Sequence, residues 1–142
     1  MIAVDTNLLV YAHRTESPYH ERALTELASL QHTPRSWGLP WPCVHEFLAT
    51  VTNPRTFRTP TPMSMALDAI AVTARSAALI GEAADHLARL QQLLASSGVT
   101  GAKVHDAKIA AICLSHGVTG LWTADRDFSY FPELTTRNPL VA

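Results

Sequence analysis

Short apolar runs alternate with helix-length amphipathic stretches along this chain, and that alternation admits few architectures. Ile2-Ala3-Val4 reads as a buried strand stopped by the polar Asp5-Thr6-Asn7, after which Leu8, Leu9, Val10 and Tyr11 run apolar into a helix or turn. Ser17-Pro18 reads as an N-cap with proline at the first helical position. Ala23, Leu24, Leu27, Ala28 and Leu30 then supply the apolar stripe of a helix ending near Gln31. Residues 36–40 form a candidate second strand. Pro42 opens a helix whose buried side is Val44, Phe47, Leu48 and Val51, closed by Asn53-Pro54.

The pattern continues to the end of the chain. Residues 63–75 predict a helix with Met65, Leu67, Ala69, Ile70 and Val72 mostly buried, and Ala78-Leu79-Ile80 a short strand ended by Gly81. From Glu82 to Ala95 the positions Ala83, Leu87, Leu90 and Leu94 recur at helical spacing until Ser97-Gly98 stops the run. Residues 103–116 predict a further helix, Leu121-Trp122-Thr123-Ala124 a strand delivering Asp125, and residues 134–141 room for a last short strand. Strands alternating with helices imply an α/β fold, a parallel sheet covered on both faces and joined by right-handed crossovers. Between them, residues 55–62 hold two arginines, three threonines and two prolines, a loop composition that predicts a mobile segment.

At 142 residues the chain fits one domain, residues 1–142, and a globule of that size removes about 68–70% of its unfolded surface from water. A net charge of −1 excludes binding of nucleic acid through a bulk basic field, so any polyanion contact must be local. Every apolar stretch is broken well short of membrane-spanning length, and a cytoplasmic protein is expected. Cys43 and Cys113 lack C-x-x-C spacing and read as buried thiols; Cys43-Val44-His45 has no matching second cluster to make a zinc site.

Against this background five acids stand out: Asp5, Glu46, Asp106, Asp125 and Asp127 end apolar strands or interrupt apolar helices. In parallel sheets ligands gather beyond the carboxyl ends of the strands, where Asp5 and Asp125 fall. Two carboxylates about 5 Å apart repel by roughly 0.8 kcal/mol in water and about 3 kcal/mol at an effective dielectric of 20, so four need a counter-charge. Mg²⁺ or Mn²⁺ suits such an all-oxygen set and would support metal-assisted hydrolysis at phosphorus. Thr6, Asn7 and Thr123 offer hydroxyl and amide groups to orient the carboxylates or metal-held water.

Taken singly, Asp5 would read as an Asx-turn, and Asp106 or Glu46 as a first-turn helix acid. Together the segments Asp5-Thr6-Asn7, Pro42-Cys43-Val44-His45-Glu46-Phe47-Leu48, His105-Asp106-Ala107-Lys108-Ile109-Ala110-Ala111 and Thr123-Ala124-Asp125-Arg126-Asp127-Phe128 resemble the PIN-domain family. Within it they resemble the VapC-type toxins of bacterial type II toxin–antitoxin systems, as do Phe131-Pro132 and Asn138-Pro139-Leu140 near the C-terminus. The resemblance spans essentially the whole chain. It implies a PIN-like three-layer α/β/α fold with a central parallel sheet of four to five strands. It also implies a Mg²⁺- or Mn²⁺-dependent endoribonuclease acting on RNA as a toxin, a VapB-type antitoxin whose peptide covers the groove, and a homodimer formed through helix faces.

The catalytic set it implies is Asp5, Glu46, Asp106 and Asp125, with Asp5, Asp106 and Asp125 on the metal. Asp127 either assists a second metal or caps the turn beneath which Phe128 packs. Arg55, Arg58 and Lys108 are the candidate RNA contacts among otherwise ordinary surface cations. His45 and His105 neighbour the acids in sequence, but helix neighbours point about 100° apart, so neither forms a dyad with its acid. Trp37, Trp41 and Trp122 read as core or rim packing. Two other classes stay open: an inactive PIN scaffold that binds RNA or protein, and a phosphatase or receiver-like domain. The latter wants a second acid close after Asp5, where this chain has Thr6-Asn7.

Overall fold

In the computed structural model, which describes residues 1–141, five parallel strands form one sheet in the order β3-β2-β1-β4-β5. The strands are β1 (Ile2–Val4), β2 (Trp37–Pro40), β3 (Ala77–Ile80), β4 (Gly120–Trp122) and β5 (Thr136–Arg137). Between them run α1 (Thr6–His13), α2 (His20–Leu30), α3 (Trp41–Val51), α4 (Met63–Ala74), α5 (His86–Ser97) and α6 (Val104–Ser115). None of these helices is long and apolar enough to cross a membrane.

The order explains where a ligand can sit. The chain steps from β1 out to β2 and β3, then returns across β1 to β4. Right-handed crossovers running in opposite directions lie on opposite faces of a sheet. Accordingly α1 packs with α2 and α3, and α3 with α4, while α5 packs with α6. The strand order therefore reverses between β1 and β4, which opens a crevice at their carboxyl ends. In the pairing register Val4 lies opposite Trp122, and the Asp5 amide continues the ladder by donating to the Trp122 carbonyl at 2.9 Å. Asp5 and the residues after Trp122 thus leave the sheet side by side.

A sheet covered on both faces needs strands that are apolar throughout. Ala3, Val4, Trp37, Leu39 and Leu121 are fully buried, and Phe128 and Phe131 close the core behind β4. Trp37 and Trp122 are buried, whereas Trp41 is exposed and stacks on His45 with ring centroids 6.1 Å apart. Both cysteines are buried free thiols.

Four sequence expectations change. Helix α2 starts at His20 rather than at Ser17-Pro18: the Ser17 hydroxyl and carbonyl instead bind the Tyr19 and His20 amides in a preceding turn. Its buried stripe is reduced to Ala23 and Leu27, with Leu24 46% exposed and Ala28 also exposed. Helix α4 fully buries only Ala66 and Ile70, with Ala69 partly buried beside them, and leaves Met65 (59% exposed), Leu67 and Val72 in solvent, because it packs chiefly on α3 and β3 from one side. Helix α5 begins at His86 rather than near Glu82, and turns Leu93 inward while Leu87 is 69% exposed.

The loop at residues 55–62 is tethered rather than loose. Arg14 donates to the Thr59 carbonyl (2.9 Å) and the Thr61 hydroxyl (3.1 Å) and lies 4.1 Å above the Phe57 ring. His13 Nε2 stands 2.9 Å from the same Thr61 hydroxyl.

Candidate active site

Local chain logic delivers each acid to the β1–β4 crevice. Asp5 is the N-cap of α1: its Oδ1 accepts from the Thr6 amide at 2.8 Å, so the carboxylate sits where helix amides and the macrodipole favour negative charge. Glu46 projects from α3, and its Oε2 accepts from the Thr6 hydroxyl at 3.1 Å. Asp106 occupies the first turn of α6. Asp125 follows β4 and caps the 3₁₀ turn Arg126–Tyr130 by accepting from the Asp127 amide at 2.8 Å. The cap of that turn is therefore Asp125, and Asp127 is the residue it caps.

These four carboxylates, with Thr6 and Asn7, line one pocket of about 320 Å³. Carboxylate oxygens of Asp106, Asp125 and Asp127 lie within 4.8 Å of one another. Asp5 is set deeper, 5% exposed, in a hydrogen-bonded network that the sequence only partly announces. The Thr123 hydroxyl donates to its Oδ2 at 2.7 Å and the Asn7 amide to the same oxygen at 3.3 Å. The Asn7 side-chain carbonyl accepts from the Ala124 amide at 3.1 Å, and Thr123 accepts from the Asp125 amide at 3.0 Å. One threonine and one asparagine thus tie the end of β1 to the end of β4.

Two residues take a part at the site that the sequence does not assign to them individually. The Cys43 thiol donates to Asp5 Oδ1 at 3.6 Å from α3. Burial, reinforced by the Asp5 charge, pushes this thiol well above its ordinary pKa, so it is a protonated donor. Its position three residues before Glu46 on one helix face was the available signal. The second is Lys103, three residues before Asp106, whose ammonium pairs with Asp127 at 3.0 Å and lies 4.7 Å from the Tyr130 ring centre. Asp127 belongs to the acid cluster yet already has a cation.

The electrostatics reflect crowding. Burial raises the Asp106 carboxyl to about 6, with the charges of Asp125, Asp5, Asp127 and Glu46 adding to it. Asp5 is also raised, mainly by burial, against the opposing hydrogen bonds from Thr123 and Thr6. Among the described residues this cluster of three aspartates is all-oxygen, without histidine or cysteine. Its donor chemistry fits a hard divalent cation such as Mg²⁺ or Mn²⁺.

The remaining candidates fall around the pocket. His45, His105 and Lys108 line a groove of about 500 Å³ that shares Glu46 and Asp106 with it. Arg58 lines another groove of about 740 Å³, sharing Thr56 and Phe57 with it. Arg55 lines neither of these grooves; its amide donates to Asn53 Oδ1 at 2.9 Å in the turn after α3.

Comparison with known proteins places these features in context. The family profile described as PIN domain matches residues 2–134. Ribonuclease VapC43 of Mycobacterium tuberculosis is 35% identical over 142 residues, which cover 99% of this chain and 96% of that protein. Ribonuclease VapC48 of the same species is 29% identical over 137 residues, 95% and 94% of the two chains. Among solved structures, VapBC2 from Rickettsia felis bound to a DNA fragment from its promoter superposes with a TM-score of 0.72 at 18% identity. That match covers 97% of this chain and 98% of the other, a likeness of fold.

Proposed function

The chain belongs to the PIN domain family, and from that premise we propose that it is a divalent-metal-dependent endoribonuclease, the toxin of a toxin–antitoxin pair acting in the cytoplasm. The observation that carries this reading is the meeting of Asp5, Glu46, Asp106 and Asp125, from four separate elements, in one pocket at the switch point of the sheet. RNA as substrate is supported by the names of relatives up to 35% identical over nearly the whole chain.

Asp5, Asp106 and Asp125 are the residues assigned to hold Mg²⁺ or Mn²⁺. When bound, the ion supplies the charge that lets the carboxylates ionise together and the Lewis acidity that activates water and stabilises the leaving oxygen. The chain's own part is orientation. Thr123 and Asn7 fix Asp5, Thr6 fixes Glu46, and Glu46 is assigned the alignment of the attacking water. Lys103 neutralises Asp127, which lowers the repulsion that an incoming phosphate meets. The test is incubation of single-stranded RNA with the purified chain: cleavage is expected with Mg²⁺ or Mn²⁺, lost in EDTA and recovered when the ion is restored. Cleavage that continues unchanged in EDTA overturns the mechanism, and metal binding without cleavage leaves a binding module.

A cognate antitoxin would silence the enzyme by laying a peptide across the pocket, so co-expression with it should abolish cleavage shown by the chain alone. The homodimer is assigned to the α4 face, where Met63, Met65, Leu67 and Val72 stand in solvent. Light scattering should read two chain masses, falling to one in Met65→Glu. A single-chain mass for the unaltered protein sinks the dimer.

A further inference from the structure

The acidic pocket has an uncharged side that a metal ion and a phosphate leave unexplained. Besides the four carboxylates it is lined by Val10, Tyr11 and Phe57. A cation and a phosphate are held by charge and hydrogen bonds, which aromatic rings do not supply, whereas the flat apolar face of a nucleobase stacks on such rings. We infer that Tyr11 and Phe57 form a nucleobase subsite, which takes the base of the nucleotide whose phosphate meets the carboxylates. The inference rests on the ribonuclease reading above and deepens it, by naming residues that hold the substrate through a base.

Helix spacing sets the two sides apart. Asn7 and Tyr11 are four residues apart on α1, Glu46 and Thr50 four apart on α3, and all of them line the pocket. Residues so spaced share one helix face and lie about 6 Å apart along its axis. Each helix thus leads in one turn from the carboxylate end of the pocket to its uncharged end, a step comparable to that from phosphate to base within one nucleotide. Both rings are half-buried and are supported by groups that do not line the pocket. The Arg14 guanidinium lies 4.1 Å from the Phe57 ring centre and is itself fixed by the Thr59 carbonyl (2.9 Å) and the Thr61 hydroxyl (3.1 Å). The Tyr19 ring meets Tyr11 with centroids 5.2 Å apart and planes tilted by 53°, and His20 Nδ1 stands 3.0 Å from the Tyr11 carbonyl. Rings held before a ligand arrives lose little freedom when it binds.

The test is calorimetry on the purified chain with Mn²⁺, using the four nucleoside monophosphates and ribose 5-phosphate, which carries a phosphate on the same sugar without a base. At least one nucleotide should bind about 5-fold or more tighter than ribose 5-phosphate, the low end of what base–aromatic stacking contributes. Tyr11→Leu and Phe57→Leu keep apolar bulk without a ring. Each should cut that preference by about threefold or more and leave the ribose 5-phosphate affinity within about twofold. Tyr11→Phe and Phe57→Tyr retain a ring and should retain the preference, which separates stacking from simple packing. If no nucleotide binds the unaltered chain more tightly than ribose 5-phosphate, or if the preference survives both leucine changes, the subsite is overturned. RNA cleavage with Mn²⁺ is measured on the same preparations. A chain that cuts RNA yet shows no base preference refutes the subsite alone. A chain that cuts no RNA refutes the ribonuclease reading, and the subsite's part in holding its substrate falls with it.

Discussion

Asp106→Asn should abolish RNA cleavage, by about 100-fold or more, and at the same time raise the melting temperature of the metal-free protein at pH 7. The loss follows from removing one of the three carboxylates assigned to hold the ion whose charge and Lewis acidity the cleavage needs. The gain follows from linkage. Asp106 titrates at about 6 in the folded chain against 3.8 ordinarily, first because burial disfavours its charge and then because Asp125, Asp5, Asp127 and Glu46 repel it. Between about pH 4 and 6 the native state therefore keeps a proton that the unfolded chain has released. Stability falls as pH rises through that window, and at pH 7 the folded chain bears the whole penalty. Asparagine removes it. Since Asp106 is only half-buried and screened by solvent, the gain is on the order of 1 kcal/mol, or about 2–4 °C. Melting curves from pH 4 to 8 check this: the variant should lose most of the decline between pH 4 and 6, Asp5 contributing the remainder with the same sign. An unchanged pH profile would show that neither burial nor its acidic neighbours hold Asp106 above its ordinary range in the folded chain.

The sequence marked the acids because each breaks a local rule, a charge at the end of an apolar strand or within an apolar helix. It marked the sheet because Ile2–Val4 and Leu121-Trp122 are apolar on both faces, as strands covered from both sides must be. What it could not mark is which neighbour an apolar side chain meets. Met65, Leu67 and Val72 have the composition of a core and stand in solvent, because α4 turns the side that carries Ala66, Ala69 and Ile70 to the body. Ser17-Pro18 looks like a helix start, but its polar groups are used one turn early. Cys43 and Lys103 escaped for a related reason. A thiol reads as a small apolar group and a lysine as surface charge until the carboxylate beside each is known.

That asymmetry also separates the two halves of the pocket. Asp106, Asp125 and Asp127 are crowded together, with Lys103 paired to Asp127, whereas Asp5 is anchored by neutral donors in the interior. Charge crowding makes the first half receptive to a cation. Hydrogen bonding gives the second half its geometry.

Thr123→Val tests that geometry without altering a charge. The hydroxyl donates to Asp5 Oδ2 at 2.7 Å and accepts from the Asp125 amide at 3.0 Å and the Asn7 amide at 3.3 Å, all at a residue 3% exposed. Valine keeps the shape and leaves those groups short of a partner, which costs about 1–3 kcal/mol for a buried orphan. Asp5 also loses the hydrogen bond that most opposes its burial-raised pKa, so its proton is retained to higher pH. Mn²⁺ affinity by calorimetry should therefore fall about 10- to 100-fold, as expected when a group orienting a metal ligand is removed. The pH midpoint of Mn²⁺ binding should move upward, because the metal must displace a more tightly held proton. Thr123→Ser keeps the hydroxyl and should recover both, which distinguishes loss of the bond from loss of packing. A valine variant with unaltered Mn²⁺ affinity and pH midpoint would mean that Asp5 is positioned by its helix cap alone, and that the link from β1 to β4 serves only the fold.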